Sequence, residues 1–430
     1  MPFRLRNFVF TGLVLLAGCK AVTPPETSPA GSRVTLESTA NGFELRYNGQ
    51  PYFIKGAGGR MHLEQVAPAG GNSIRTWSTE KLGETLDEAQ RLGLTVTAGF
   101  WMGHERHGFD YADAAMVKAQ FEKAREAVLA HRNHPALLIW AVGNEMEWHP
   151  GTDILIYEAV NDVARMIKEL DPHHPTMTVL GGVGEGGIKA QYVMKYCPDV
   201  DILGVNDYGG AKGIPVNLEE AGFTKPFIVT EFGPMGPWEC AKAPWGAEFE
   251  NDGDEKGQFY LETYREAVES APGRCLGSYV FNWGQKQEVT PTWFGMFLKD
   301  GSRLNPVDYM TYAWTGAWPS NRCPVIGNFR SALKGAKVPG GKEYDVIVTA
   351  TDPDGDTLKY TIEILGESKD RRHGGDAEAV PESFSDAIVR HEGNRFVIRT
   401  PPKSGAYRIF AYVHDGQGNA TSINSPFYVQ

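Results

Sequence analysis

The sequence predicts an α/β protein in which a (β/α)8 barrel is followed by a small C-terminal β-sandwich of immunoglobulin-like kind. Up to residue 318, eight short apolar segments alternate with segments of helical periodicity. That alternation is typical of parallel strands buried on both faces and covered by helices. Beyond residue 318, short β-like segments are separated by turns rich in Asp, Gly and Pro. The length of 430 residues suits one barrel plus one smaller domain.

The first 19 residues are predicted to be a signal peptide rather than part of the fold. Arg4 and Arg6 precede an apolar run over residues 8–16, which is too short to span a membrane. The L-A-G-C ending at Cys19 resembles a bacterial lipobox, which implies cleavage before Cys19 and lipidation of its thiol. An ordinary secretory signal is the alternative. With Lys20 next, the resemblance implies a lipid-anchored protein of the cell envelope, at the outer membrane if the cell is Gram-negative.

The remaining chain divides into three predicted regions. Residues 20–32 are rich in Pro, Ser and Thr and are expected to be a flexible tether. Residues 33–318 are assigned to the barrel, and residues 319–430 to the β-sandwich. Export permits disulfides, and four cysteines allow three pairings. These cysteines are Cys197, Cys240, Cys275 and Cys323.

Charge and cysteine spacing exclude several classes of partner. The formal net charge is −11 and no block of Lys or Arg occurs, which argues against nucleic acid. The cysteine spacing fits no zinc ribbon, so no metal and no cofactor is predicted. A carbohydrate is compatible with either sign of charge. The oligomeric state stays open.

The barrel elements follow in order from the N-terminal side. Residues 42–54 form alternating runs around an Asn48-Gly49 hairpin turn and lead into the first strand. Residues 55–58 are expected to end the first strand. The other strands are expected at residues 73–77, 94–101, 136–142, 176–180, 201–205, 227–231 and 276–283. Helices are expected at residues 113–131, 152–170, 255–270 and 304–314.

Three of these strands end in residues suited to chemistry. Residues 136–148, A-L-L-I-W-A-V-G-N-E-M-E-W, deliver Asn144 and Glu145 after the fourth strand. The seventh strand, in K-P-F-I-V-T-E-F-G, ends in Glu231, and the eighth, in G-S-Y-V-F-N-W-G, ends in Trp283. Strand ends of this kind form the active-site floor of α/β barrels. Two such glutamates are the paired carboxylates that glycosidic cleavage requires, although two structural ion-paired glutamates are the alternative.

The motifs W-A-V-G-N-E, V-T-E-F-G and F-N-W-G, in this order, resemble the clan A retaining glycoside hydrolases, closest to the family 2 barrel. The resemblance implies that Glu145 is the acid/base and Glu231 the nucleophile, with carboxyl groups about 5–5.5 Å apart. It also implies that Trp283 is the floor of the subsite that holds the cleaved sugar.

Further residues take roles from the same resemblance. It implies that Asn144 hydrogen-bonds the sugar 2-hydroxyl, that Arg75 keeps the nucleophile ionised, and that Tyr208 hydrogen-bonds the nucleophile. Each could instead be an ordinary polar residue of the barrel rim. Several tryptophans follow strand ends and are candidates for further sugar subsites, with core packing as the alternative. They are Trp77, Trp101, Trp148 and Trp293.

Four other segments bear on function. The loop 103–107, G-H-E-R-H, lacks the spacing of H-E-x-x-H, so substrate contact or a surface loop is favoured over a metal site. The Gly-rich run 181–187 is expected to be a loop at the barrel mouth. His173 and His174 are expected in a solvated turn on the opposite rim. In D-P-D-G-D, residues 352–356, a plain turn is favoured over a Ca²⁺ site.

The sequence therefore predicts a lipid-anchored, retaining β-glycosidase that hydrolyses O-glycosyl bonds in a β-linked oligo- or polysaccharide. A transglycosylase, such as a β-1,3-glucanosyltransferase, is the alternative within enzymes. A non-catalytic glycan-binding lipoprotein is the alternative outside them. One departure matters: family 2 normally places β-sandwich domains before its barrel, whereas only about twenty residues of folded chain precede the first strand here. A neighbouring or little-characterised clan A family is therefore the alternative to family 2. The sugar, the linkage and endo or exo action stay open.

Overall fold

The computed structural model describes Met1 and residues 31–146 and 154–430. The predicted lipidation site Cys19 and the candidate subsite residue Trp148 lie outside these residues. Residues from Gly31 to Gln430 form one compact unit. Within the described residues, none of the helices combines the length and the apolar character needed to cross a bilayer.

Eight parallel strands close into a barrel, in chain order around the circle. The predicted (β/α)8 barrel is thereby confirmed. A three-stranded antiparallel sheet precedes the barrel, formed by β1 (Val34–Thr39), β2 (Gly42–Tyr47) and β3 (Gln50–Pro51). The barrel strands are β4 (Ile54–Gly58), β5 (Ser73–Arg75), β6 (Thr95–Phe100), β7 (Leu137–Val142), β8 (Thr176–Gly181), β9 (Ile202–Asn206), β10 (Phe227–Phe232) and β11 (Cys275–Val280).

Helices surround the barrel, and local sequence explains where the clearest of them begin. Asp113 caps the N-terminus of the helix that begins at Ala114 by accepting hydrogen bonds from the amides of Ala115 and Met116. Asp252 and Glu255 form a capping box at the start of the helix that begins at Gly253. The helices are α1 (Leu82–Arg91), α2 (Ala114–His131), α3 (Ile154–Leu170), α4 (Ile188–Tyr196), α5 (Ile214–Glu220), α6 (Gly253–Thr263), which continues as a π-helix over Tyr264–Glu269, and α7 (Asn305–Thr315).

The N-terminal sheet packs against the barrel interior. All six residues of β7 are buried. Trp140 and Val142 belong to the core shared with the helices, whereas Leu138 belongs to the interior core. Val34 and Leu45 of the N-terminal sheet are part of that interior core, so the sheet closes the end of the barrel where the strands begin.

A buried polar network lies at this closed end. His174 is 3% exposed, so the expectation of a solvated His174 is wrong. Its Nδ1 pairs with the Asp171 carboxylate at 2.8 Å, and its Nε2 lies 2.8 Å from Ser32 Oγ. The Trp140 indole donates to Asp171 at 2.7 Å. The His-Pro turn therefore joins the N-terminal segment to the barrel.

The C-terminal region is a β-sandwich of two sheets. Its strands are β12 (Arg303–Leu304), β13 (Val325–Ser331), β14 (Lys337–Val338), β15 (Glu343–Thr351), β16 (Lys359–Gly366), β17 (Ile388–Glu392), β18 (Arg395–Arg399), β19 (Gly405–His414) and β20 (Asn419–Val429). One sheet has the order β13-β15-β18-β17, and the other has β12-β20-β19-β16, with β14 paired to β20. Val346 and Val348 of one sheet share a core with Ile409 and Ala411 of the other.

The sandwich is joined to the barrel by backbone and side-chain bonds. β12 precedes α7 in the barrel region, yet it pairs in parallel with β20 of the sandwich. Arg408 is 2% exposed and donates to the Glu248 carbonyl at 2.7 Å and to Glu367 at 2.8 Å. The predicted boundary at residue 318 falls between α7 and β13, in a segment flanked by these contacts.

Candidate active site

A cavity of about 390 Å³ opens at the end of the barrel where the strands finish, and both predicted catalytic glutamates line it. Glu145 follows β7 and Glu231 lies within β10, so the C-terminal ends of the fourth and seventh barrel strands supply them. The other lining residues are Trp77, Trp101, Asn144, Tyr208, Trp238, Phe281, Asn282, Lys286, Glu288, Gly374, Gly375 and Asp376.

Glu231 is held by three donors. Arg75 Nη1 lies 2.9 Å and Trp77 Nε1 2.6 Å from its Oε1, and Tyr208 Oη donates to its Oε2 at 2.9 Å. Glu231 is 5% exposed and Arg75 is 1% exposed, so this ion pair is shielded from water. Burial, followed by the charge of Glu231, raises the pKa of Tyr208 well above its usual range, so Tyr208 remains an O–H donor. Such a set of donors compensates the charge of a carboxylate.

Arg75 connects the nucleophile candidate to the rest of the site. Its Nη1 also donates to the Thr230 carbonyl at 3.0 Å, and its Nη2 donates to Asn144 Oδ1 at 2.6 Å. The guanidinium carbon lies 5.2 Å from the centroid of the Trp77 ring, within cation–π range. The short strand β5 ends at Arg75, which fixes the guanidinium beneath the barrel mouth.

Glu145 occupies a strained and partly buried position. Its φ is 50°, a left-handed conformation that costs a residue with a side chain on the order of 1–3 kcal/mol. Its amide donates to the Val179 carbonyl at 2.9 Å, which ties the turn to β8. A Cβ on Gly181 would lie 3.1 Å from Glu145 Cγ, so this glycine leaves room for the glutamate.

The pKa of Glu145 is raised to about 7, first by burial and then by the negative charge of Glu231. A hydrogen bond from Asn206 and the charge of Arg75 act in the opposite direction. The site therefore combines one carboxyl that retains its proton near neutral pH with one that is surrounded by donors. This is the division that acid-assisted glycosidic cleavage requires.

Asn206 completes the connection between the two glutamates, although no role is predicted for it from the sequence. Its Nδ2 donates to Glu145 Oε1 at 2.7 Å and to Asn144 Oδ1 at 3.0 Å. Its own Oδ1 accepts from Thr230 Oγ1 at 2.7 Å. A continuous chain of hydrogen bonds thus runs from Glu231 through Arg75, Asn144 and Asn206 to Glu145. The signal was present in V-N-D-Y-G, where the residue that ends β9 stands two positions before Tyr208.

The predicted role of Trp283 is wrong. Its side chain is fully buried, its Nε1 donates to the His62 carbonyl at 3.1 Å, and its ring packs against Phe297 and Trp314. β11 ends at Val280, so Trp283 lies past the strand end and turns into the core, while Phe281 and Asn282 face the cavity. Trp293 is also buried and does not serve as a subsite.

Three other tryptophans do line the cavity. Trp77 and Trp101 were predicted, and Trp101 is 41% exposed and stacked on His104 at 4.7 Å between centroids. Trp238 was not predicted. It is 61% exposed, and its ring forms an edge-to-face pair with the Tyr208 ring, with the two centroids 5.6 Å apart. Exposed aromatic faces beside two carboxylates suit the apolar faces of sugar rings.

The loop 103–107 contacts the C-terminal domain rather than forming a cluster of ligands. Burial and the neighbouring Arg106 lower the pKa of His104 to about 4. His107 Nε2 lies 2.8 Å from Asp376 Oδ2.

Among the described residues, one group of three acidic side chains comes close enough to share a cation: Asp352, Asp356 and Asp415, whose ligand atoms lie within 4.8 Å of one another. Asp352 Oδ1 already accepts from the amides of Asp354 and Asp356, and Asp354 Oδ2 accepts from the Arg322 amide. These bonds explain D-P-D-G-D as a turn that is tied, through Arg322, to the segment between α7 and β13.

The cysteines form local thiol contacts. Cys240, Cys275 and Cys323 are free thiols. The Cys197 thiol donates to the Tyr157 carbonyl at 3.2 Å.

Two glutamates joined by hydrogen bonds at the mouth of a (β/α)8 barrel are the arrangement that glycoside hydrolases use. Comparison with known proteins agrees. Residues 84–239 match the family model described as glycosyl hydrolases family 2, TIM barrel domain. The resemblance of this barrel to clan A, and within the clan to family 2, is confirmed.

Two curated sequences and several solved structures are similar. A Formosa agariphila sequence, provisionally described as a beta-glucuronidase, is 27% identical over 229 residues, covering 49% of this chain and 19% of its own length. An Aeromonas hydrophila beta-galactosidase is 29% identical over 159 residues, covering 32% of this chain and 14% of its own. This chain thus spans less than a fifth of the length of either relative.

The structural matches support the fold. A Faecalibacterium prausnitzii beta-glucuronidase has a TM-score of 0.51 at 18% identity, covering 66% of this chain and 52% of its own. A Dictyoglomus thermophilum beta-D-glucuronidase has a TM-score of 0.51 at 20% identity, covering 66% of this chain and 54% of its own.

Proposed function

We propose that this protein is a retaining β-glycosidase. The observation that carries the proposal is the hydrogen-bonded chain from Glu231 through Arg75, Asn144 and Asn206 to Glu145, whose two terminal glutamates line one cavity. Within this chain Glu145 has a pKa raised to about 7, and Glu231 receives only donors. An acid and a nucleophile need these two contrasting environments.

In the first half of the reaction, Glu231 attacks the anomeric carbon while the Glu145 carboxyl donates its proton to the departing glycosidic oxygen. The C–O bond to the leaving group breaks, and an ester forms between the sugar and Glu231. In the second half, the Glu145 carboxylate removes a proton from water, and the water oxygen displaces Glu231. The two inversions restore the β configuration.

Asn144 contributes through a fixed orientation. Its Oδ1 accepts from both Arg75 and Asn206, which leaves its Nδ2 as the donor for a sugar hydroxyl. A bond from this group to the 2-hydroxyl would strengthen as positive charge develops on the ring.

The names of the relatives suggest the first substrates to test. One curated relative is described as a beta-galactosidase, and both structural relatives reported above are beta-glucuronidases. A panel of 4-nitrophenyl β-glycosides that includes the glucuronide and the galactoside should contain at least one that the protein hydrolyses. Proton NMR of the first product should detect the β anomer. Initial formation of the α anomer would rule out the retaining mechanism.

The two glutamates can then be assigned by chemical rescue. Glu231→Gly should abolish turnover, and Glu145→Ala should slow substrates with poor leaving groups by about 10²–10⁴-fold. Azide should restore both variants and give the β-glycosyl azide with Glu145→Ala and the α-glycosyl azide with Glu231→Gly. Near-normal activity of Glu231→Gly would contradict the assignment.

We also propose that lipid on Cys19 anchors the protein to the cell envelope, on the strength of L-A-G-C after a short apolar run. Wild-type protein expressed in a bacterial host should partition into detergent and show acyl mass on Cys19. Cys19→Ser should not. Equal membrane association of the two would contradict an anchor.

A further inference from the structure

A loop of the C-terminal sandwich reaches the cavity that holds both glutamates. This segment, residues 367–381, is termed here the rim loop, and it connects β16 to the segment before β17. Its base is closed by backbone hydrogen bonds from Gly366 to Glu382 and from Phe384 to Ile364. Its tip, Gly374 to Asp376, contributes three of the cavity's lining residues. The barrel alone therefore does not enclose the site.

The sides of the rim loop are fixed to the barrel. Arg371 pairs with Glu248 at 3.0 Å, and Glu378 Oε2 accepts from the Val289 amide at 2.7 Å. Within the loop, Asp370 Oδ2 accepts from the Ala379 amide at 3.0 Å. Bonds on both sides hold the tip in place over the mouth.

The tip contacts loops that follow two separated barrel strands. Asp376 pairs with His107 at 2.8 Å and with Arg106 at 3.5 Å, in the loop after β6. On the other side, a Cβ on Gly375 would lie 2.9 Å from the Lys286 ammonium, in the segment after β11. Gly374 and Gly375 have φ of 61° and 73°, and this backbone brings the chain against both cations without a side chain between them.

These contacts locate the tip on one side of the mouth. β4 and β5 lie between β11 and β6 in the closed barrel, so the shorter arc of the mouth from Lys286 to Arg106 is the one that follows β4 and β5. Trp77, which binds the nucleophile candidate Glu231, follows β5. Glu145, which would protonate the departing group, follows β7, outside that arc.

We propose that the rim loop closes the end of the cleft that receives the sugar to be released, so that a loop of the C-terminal sandwich limits how many sugars this side of the cleft accepts. This inference rests on the proposed glycosidase function. The attacked ring lies on the side of Trp77 and the tip, and the remainder of the chain leaves past Glu145. A second sugar on the enclosed side would meet the tip backbone, so the sandwich domain sets the length of the substrate site.

The test compares two probes that differ by one sugar on the enclosed side. These are the 4-nitrophenyl β-monoglycoside that the panel identifies and the matching 4-nitrophenyl β-diglycoside. Wild-type enzyme should hydrolyse the monoglycoside and release almost no intact disaccharide from the diglycoside, as measured by mass. Replacement of residues 372–376 by Gly-Ser removes the tip but keeps Arg371 and Glu378. It should raise the diglycoside-to-monoglycoside ratio of kcat/KM at least tenfold.

Two point variants complete the design. Asp376→Asn keeps the shape of the tip but weakens its ion pairs, and it should raise the same ratio by a smaller factor even if the shortened loop does not fold. Asp386→Asn, on an exposed turn of the same domain, is the matched control and should leave the ratio unchanged.

The outcomes separate the two claims. Failure of wild-type enzyme to hydrolyse any glycoside in the panel would overturn the proposed function. Direct release of disaccharide by active wild-type enzyme would overturn only the role of the rim loop. So would an unchanged ratio in a folded shortened-loop variant, or in Asp376→Asn if the shortened variant does not fold.

Discussion

At the scale of single residues, the site depends on different surroundings for two chemically identical side chains, Glu145 and Glu231. Both carboxyls lie in one cavity, and each affects the other electrostatically. Arg75, Trp77 and Tyr208 donate to Glu231, whereas the side-chain bond to Glu145 comes from the neutral amide of Asn206. The acid and nucleophile roles therefore follow from the donors around each glutamate.

The raised pKa of Glu145 predicts a stability effect as well as a catalytic one. A folded-state pKa of about 7, against 4.5 for an unperturbed glutamate, means that the folded state favours the protonated form. This contribution to stability is complete below about pH 4.5 and is lost as pH rises through about 7. Glu145→Gln should therefore be more stable than wild type above pH 7, by at most about 3 kcal/mol, with no gain at pH 4.

Chemical denaturation of wild type and Glu145→Gln at pH 4, 6 and 8 would measure this difference. Wild-type kcat/KM should also fall as pH rises through about 7, where the free enzyme loses the acid form of Glu145. A stability difference that does not change with pH would contradict the assigned environment.

The hydrogen bond from Trp77 to Glu231 can be tested without removing the aromatic ring. Trp77→Phe deletes the Nε1 donor, which lies 2.6 Å from the carboxylate. A hydrogen bond to a charged group contributes about 1.5–3 kcal/mol, so kcat/KM should fall roughly 10- to 100-fold. Steady-state kinetics on the preferred 4-nitrophenyl glycoside would measure it, and Trp318→Phe, outside the cavity, is a control. An unchanged kcat/KM would show that the donor is dispensable.

At the scale of elements, the positions of the strands could be predicted from the sequence more fully than the contacts between them and the loops. The eight barrel strands have clear apolar runs, so their positions could be predicted from periodicity alone. Trp283 illustrates the limit. A one-dimensional pattern locates a residue near a strand end, but the turn after β11 decides whether its side chain faces the cavity or the core. The contribution of residues 374–376 requires contacts between segments more than 250 positions apart, which no local pattern encodes.

The closed end of the barrel provides a test that is independent of activity. Asp171→Ala would leave the Trp140 indole and His174 without their buried carboxylate acceptor. Loss of one partner from a buried polar network costs about 3–5 kcal/mol. Equilibrium denaturation should show that loss, while kcat of the folded fraction should stay near the wild-type value. Asp162→Ala, an exposed acid on α3, should change stability by less than about 0.5 kcal/mol. Equal effects of the two would contradict the structural role of the network.

At the scale of the whole molecule, the barrel and the sandwich share buried polar contacts rather than a plain linker. Lys256 of α6 pairs with Glu250, and Asn424 of β20 donates to the same carboxylate at 2.6 Å. Burial opposes the charge of Glu250, but Lys256 and Arg408 overcome it and lower its pKa below the usual value. A charged network of this kind is stable only while both domains are folded around it.

The two domains should therefore unfold together. Thermal unfolding followed by tryptophan fluorescence and by far-ultraviolet circular dichroism should give one coincident transition. Arg408→Met should lower the free energy of unfolding by about 3–5 kcal/mol while keeping a single transition. Arg395→Met, at an exposed position on β18, should have little effect. Two separated transitions in the wild-type protein would show that the domains are independent.

The thiols give the molecule internal reporters of local opening. Burial raises the pKa of Cys275 to about 12 and that of Cys323 well above its usual range, so both sulfurs are protonated and shielded at neutral pH. Cys275 lies in the last barrel strand and Cys323 in the segment that leads to the sandwich. An alkylating reagent can react only when one of these places opens to solvent. The rate of modification of Cys275 would therefore measure how often the last barrel strand opens locally in the native protein. The rate at Cys323 would measure the same for the segment that leads to the sandwich.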